Sequence, residues 1–281
     1  AVLFGTCVAP VAALTSFGQE LTDADGNVTQ YGLSTTTCEL FMGCYILANG
    51  ATAVEYDQKG YPKLTLDSAK SLEALTTFTT MLNTDKTVEC ISCLSNWEEA
   101  AKAFCNGEVG MLVCEEWVIE YIRDVMNEAG NGEDYALTYF PKGPNGKDYV
   151  DASFGGMTEY FIYNSGDAEK EELAFRVYCD LYAPNEDLDQ EEQVATTAES
   201  LFSDENSVEV YEDIILNNKA VSLNMYKLGL NVREDFKNVF RGICNNIGTP
   251  QSIINSIKTE VETYMEESTY WIELDKQNGQ S

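Results

Sequence analysis

Hydrophobic and polar positions alternate in short runs of two kinds along the chain. Ala100, Ala103 and Phe104 recur at i, i+3 and i+4, the spacing of one helical face. Asn106-Gly107 closes that helix, because glycine takes the left-handed conformation at no steric cost. Val109 to Cys114 is a short apolar run, the pattern of a strand covered on both faces. Glu115, Glu116 and Trp117 stand at its carboxyl end. Ligands gather at the carboxyl ends of strands in open α/β sheets, so this stretch is the first candidate for a site.

The same alternation places the other elements. Leu14, Phe17 and Leu21 predict a helix over 11–22, and Tyr31 to Thr35 starts a strand. Glu39 to Leu47 reads as a helix ending at Asn49-Gly50. Asp57 to Gly60 is a hairpin turn before a strand at Lys63 to Leu66. Asp67-Ser68 caps a helix whose stripe is Ala69, Leu72, Leu75, Phe78 and Leu82. A helix through Tyr121 and Val125 runs to Gly130, Tyr135 to Phe140 is a strand, and Pro141 to Gly146 is a dense turn. Beyond Gly155-Gly156, Thr158 to Tyr163 predicts a strand. Ser165 to Asp167 then caps a helix with Leu173, Ala174, Val177, Tyr178 and Leu181 on one face. Asn185 to Gln193 reads as an acidic loop, and 207–217 as a helix carrying Val208, Tyr211 and Ile215. Thr249-Pro250 opens a last helix through Ile253, Ile257, Val261 and Met265, with a frayed tail from Asp275. Strands alternating with helices define an α/β protein.

Composition narrows the function classes. The 281 residues suffice for about two domains. No run reaches the ~18 apolar residues of a membrane helix. Residues 1–14 are apolar and contain Cys7, but no basic residue precedes them, which sets aside a signal or lipoprotein reading. With Ala first, the chain is expected to be processed, truncated or a fragment. Seventeen Lys+Arg against 47 Asp+Glu give a net charge of −30, which repels phosphate backbones and argues against nucleic acid. Neutral or cationic ligands suit it better.

Nine cysteines and no histidine remove Ser-His-Asp and Cys-His catalysis and the commonest metal ligand. Cys90 and Cys93 form a CxxC without the second pair a zinc ribbon needs. Cys38, Cys105, Cys114 and Cys179 sit in apolar patterns and are expected in the core. Thr22 to Asn27 is a turn, since no Glu closes a calcium loop there. No metal and no cofactor is expected. Glu115 and Glu116 could not flank one glycosidic bond if both lay on a strand, because neighbours there point to opposite faces.

Five blocks in order resemble family 1 extracellular solute-binding proteins of ABC importers, the maltose- and oligosaccharide-binding group. They are Leu21 to Asn27 with Tyr31-Gly32; Leu47 to Gly50 with the Asp57–Gly60 turn and the Leu66–Leu82 helix; Phe104, Gly107, Gly110, Met111 and Trp117; Pro141 to Gly146 followed by Gly155-Gly156; and Gly248-Thr249-Pro250. Gly110 stands where the family usually has Ala, and Cys114 where a small residue is usual.

The resemblance implies a periplasmic-binding-protein type II fold, α/β, with two lobes, hinge crossovers and an incomplete first lobe. Residues 1–150 would form the second lobe, 151–233 a return into the first, and 234–281 the closing helices of the second. It implies a carbohydrate, such as an oligosaccharide, held between the lobes. Trp117 would stack on it, beside Glu115 and Glu116. Gly155 and Gly156 would bring backbone N–H groups to the cleft, with Glu39, Phe41 and Arg233 as further contacts. The expected partners are the transmembrane subunits of an ABC permease. The expected state is a monomer outside the cell, held at a membrane only by a lipid anchor absent from this chain. A cationic or peptide-like solute, or a surface lectin or glycan-processing role, is the alternative.

Overall fold

A computed structural model describes residues 2–6, 25, 29–35, 38–89, 96–130, 135–140, 143–146, 151–152, 165–182, 189–216, 220–221 and 230–277. The expected helix over 11–22, the strand at 158–163, the Cys90/Cys93 pair and Gly155-Gly156 lie outside them.

The centre is a four-stranded parallel sheet in the order β2-β5-β1-β6. Its strands are β1 (Val2–Thr6), β2 (Ser34–Thr35), β5 (Met111–Val113) and β6 (Leu137–Tyr139). Two isolated parallel bridges, Tyr31 to Val109 and Leu33 to Val88, extend it. Successive side chains on a strand point to opposite faces, and the run from Met111 to Cys114 is sorted accordingly. Met111 and Val113 enter one hydrophobic cluster, and Leu112 and Cys114 enter another.

The first cluster gathers α1 (Cys38–Ala48), the hairpin of β3 (Val54–Tyr56) and β4 (Pro62–Leu64), and α2 (Ala69–Asn83). It also gathers α8 (Leu230–Cys244) and α9 (Pro250–Gln277). The second cluster gathers α3 (Trp97–Cys105), α4 (Glu116–Glu128), α6 (Gln190–Leu201) and α7 (Glu205–Leu216). Helices therefore clothe both faces of a parallel sheet, as such sheets require. The remaining elements are a parallel pair of β7 (Asp151–Ala152) with β8 (Ala220–Val221), of which β7 lies against α1 and β1, and α5 (Ala168–Tyr182).

Local chemistry sets the element ends. Ser68 caps α2, Asn96 caps α3 through the Glu99 amide, and Gly107 takes φ +76° after α3. On α2 the buried set is Ser71, Ala74, Leu75, Phe78 and Met81, whereas Ala69 is exposed. The expected stripe is turned by less than one residue, because Leu72 and Leu82 flank the buried set.

Three expectations are corrected. Of the expected acidic loop 185–193, residues 189–193 are the N-cap and first turn of α6. There Asp189 and Glu192 bond each other's backbone in a capping box, and this stabilises a helix despite its charge. Residues 230–244 also form a helix, α8, and α9 continues past Asp275 to Gln277. Cys179 is half-buried on α5 and Cys105 half-buried on α3, so of the expected core cysteines Cys114 is the one seen fully buried. The Cys38 side chain lies outside the described residues.

Asn49 knots the Leu47–Gly50 and Gly143–Gly146 segments together. Its amide donates to the Lys70 carbonyl and to Glu73 Oε2, both at 2.9 Å, while its Oδ1 accepts from the Asn145 amide at 3.1 Å. A Cβ on Gly143 would come within 2.7 Å of Asn49 Oδ1, and one on Gly50 within 2.7 Å of the Asn145 carbonyl. Glycine at these two places is what permits the approach.

Candidate functional site

Strands β2 and β5 are parallel neighbours, and each passes directly into a helix: β2 into α1 and β5 into α4. The N-termini of α1 and α4 therefore meet at the carboxyl edge of the sheet. Helix α3 runs back toward β5, so its first residue, Trp97, reaches the same edge.

Three aromatic rings form a corner there. The Trp97 and Trp117 ring centres are 4.7 Å apart at 80°, and those of Trp97 and Tyr121 5.2 Å apart at 82°. Trp117 and Tyr121 share a face of α4 at i, i+4. Trp97 is half-buried, whereas Trp117 is 55% exposed and is not a core residue. A large ring held by a neighbour and open on one side is suited to stacking on an apolar ligand face.

Carboxylates surround the corner. Glu98 and Glu99 lie in the first turn of α3, where they complement the helix dipole, and both lie within 4 Å of Lys102, at 3.9 and 3.3 Å. Glu115 is the N-cap residue of α4, with φ −73° and ψ 152°, and makes no side-chain cap bond. Glu116 opens the helix and accepts a hydrogen bond from the hydroxyl of Tyr211 on α7. Tyr211 is buried, and burial first, the Glu116 bond second, holds its phenol well above the usual range. Glu115 and Glu116 thus belong to a helix start and not to the strand end expected from the sequence. Another carboxylate, this one buried, lies at the same edge: Glu89, 9% exposed, accepts from Ser34 Oγ at 3.0 Å beside the end of β2.

Of the expected contacts, Glu115, Glu116 and Trp117 come together. Glu39 and Phe41 lie in the first turn of α1 at the same edge, and Arg233 in the first turn of α8; their side chains lie outside the described residues. Trp97, Tyr121, Tyr211 and Glu89 were not anticipated. The four-residue spacing of Trp117 and Tyr121 was the signal available for one of them. Among the described residues no group of three or more His, Cys, Asp or Glu side chains could hold a metal ion, and no helix is long and apolar enough to cross a membrane. A cleft of about 570 Å³ lies elsewhere, between β4 and α9, crossed by the 2.6 Å Lys258–Asp67 ion pair. It holds none of the aromatic residues of the corner.

No family model and no curated protein matches the sequence. Solved structures do match in fold. The GacH receptor of Streptomyces glaucescens, determined unliganded and with acarbose, superposes with a TM-score of 0.60 at 16% identity over 92% of this chain. Maltose-bound MalE3 of T. maritima gives 0.57 at 14% identity over 91%. An ABC transporter solute-binding protein of Agrobacterium radiobacter in complex with ribitol gives 0.59 at 14% identity over 91%. The fold is thus the one these solute-binding proteins share, the periplasmic-binding-protein type II α/β fold, of which this chain covers part. The chain spans 65% of the GacH receptor and 66% of MalE3. These neighbours are binding proteins, and the small molecules in their complexes are sugars or a sugar alcohol.

Proposed function

We propose that this chain is the larger part of an extracellular solute-binding protein that captures a carbohydrate, an oligosaccharide in particular, between two lobes and presents it to an ABC permease. The observation that carries the proposal is the exposed Trp117 ring, braced by Trp97 at the carboxyl edge of the sheet. Sugars offer flat CH-rich faces to such a ring, and nearby carboxylates accept from their hydroxyls. Glu115, Glu39, Phe41, Arg233, Gly155 and Gly156 are assigned to the same cleft. Glu116 is assigned a supporting place, because Tyr211 already holds it. The protein acts by binding and release, without catalysis or a cofactor. Cys244 is disulfide-bonded, which favours an oxidising location outside the cytoplasm.

The carboxylates around the corner, with the net charge of −30, favour a cationic or peptide-like solute as the second reading. Titrating the full-length gene product with maltose, maltotriose, ribitol, a polyamine and a short basic peptide, followed by Trp fluorescence, separates the two. A saturable response to a sugar at about micromolar concentration supports the proposal. Silence with every sugar and a response to the polyamine or peptide replaces it. Release of shortened glycan products would point to processing instead of capture.

A further inference from the structure

Helix α9 runs on past the core that it closes. Its fully buried side chains are Ile254, Val261 and Met265, and none of the described side chains beyond Met265 is fully buried. The last turns are nevertheless strapped down by the β3–β4 hairpin. Tyr61 donates to Glu273 Oε1 at 2.7 Å. Lys276 Nζ donates to the Lys59 carbonyl at 2.7 Å and stands 5.0 Å from the centre of the Tyr61 ring.

What the strap fixes in place is an aromatic pair in water. Tyr270 is 61% exposed and Trp271 60%, and their ring centres are 5.5 Å apart at 75°. Tyr and Trp are enriched where proteins meet partners, most of all beside a pocket that takes an anchor. Such a pocket adjoins them. The cleft of about 570 Å³ between β4 and α9 has Glu266 on its rim, one helical turn before Tyr270. Leu64 and Met265 are buried at its floor beside Pro62, while Lys63, Glu262 and Glu266 are exposed around it. From Glu260 to Glu273 the helix carries five carboxylates and no lysine or arginine.

We propose that the Tyr270–Trp271 face of α9, with the adjoining cleft at β4, docks a basic segment of a partner protein. An aliphatic side chain of that segment fills the cleft over Leu64 and Met265. Its lysines or arginines meet Glu262, Glu266 and the faces of the two rings. The stretch from Glu262 to Trp271 is about 14 Å long, the reach of four or five extended residues. A small solute in the cleft would leave Trp271 untouched. A second copy of this chain is repelled, since each carries a net charge of −30, and an anionic lipid surface is repelled for the same reason. The inference does not depend on the solute or on the aromatic corner around Trp117.

The test uses the full-length gene product and a labelled eight-residue peptide of alternating Lys and Leu, followed by fluorescence anisotropy at physiological salt. Binding is expected with a Kd of about 10–100 μM. Tyr270→Ala with Trp271→Ala is expected to weaken it at least about 10-fold, and Glu266→Lys about 5-fold or more. Tm should stay within about 2 °C in both variants, because all three side chains are exposed. An all-Lys peptide of the same length should bind at least about 10-fold more weakly, since it has no anchor for the cleft. No binding, equal binding of the two peptides, or a double variant that binds as the parent does overturns the proposal. So does a double variant whose Tm falls by more than about 5 °C, which would mean that the protein's own chain already covers this face. Loss of peptide binding in Trp117→Ala, with the α9 double variant unaffected, places the peptide at the aromatic corner. That result overturns this proposal and favours the cationic-solute reading instead.

Discussion

Helices α4 and α5 are similar in sequence pattern and opposite in circumstance. Each has an apolar stripe at helical spacing and acidic residues in its first turn. On α4 the stripe is Val118, Ile119, Ile122 and Met126, all buried against β5, α3 and α6. On α5 it is Leu173, Ala174 and Val177, all exposed. Amphipathic spacing states which face a helix must bury. It does not state whether the partner is within the chain. The acidic starts also differ in use. Glu116 of α4 is held by Tyr211 beside the aromatic corner, whereas Glu171 of α5 accepts from the amides of Ser165 and Gly166 in its own cap.

The largest expected effect would break the comparison if it failed. Ile122→Ala, at a fully buried position of α4, should cost about 2–5 kcal/mol in the 281-residue chain, read by urea denaturation. Next, Asn49→Ala removes the group joining α1, α2 and the 143–146 turn, and should cost about 1–3 kcal/mol because several polar groups lose their partner. Asp235 of α8 sharpens the contrast between covered and bare helices. Burial first, then the nearby Glu260 carboxylate, raises its pKa, so the folded state keeps this proton to higher pH than the unfolded chain does. That contribution to stability grows as pH falls through the carboxylate range and is absent at neutral pH. Asp235→Asn should therefore stabilise at pH 7 by less than about 1 kcal/mol, since solvent still reaches part of the group, and the gain should vanish below about pH 4 in melts across pH. The smallest effect belongs to α5. Leu173→Ala should change the 281-residue chain by less than about 0.5 kcal/mol in the same urea experiment as Ile122→Ala.

Much of the scaffold was legible because it is local. Ser68, Gly107 and Thr249-Pro250 mark their helix ends by side-chain or backbone chemistry that acts within a turn. Helix α6 was missed because its negative charge masked the Asp189–Glu192 capping box, the stronger signal. The site was legible in part. Trp117 announced itself as an aromatic beside carboxylates at a strand end. Its brace did not, because Trp97 is twenty positions earlier and meets it only once α3 and α4 pack side by side on one face of the sheet. Tyr211 and Glu89 are likewise products of tertiary packing, since their partners Glu116 and Ser34 are remote in sequence.

The central claim is that Trp117 is a ligand-facing ring and not part of the core. The most direct test is calorimetric titration of the full-length gene product and its Trp117→Ala variant with whichever sugar the fluorescence panel selects, alongside thermal melts. The account predicts at least about 10-fold weaker binding with Tm changed by no more than about 2 °C. Unchanged affinity, or a variant that unfolds, would contradict it.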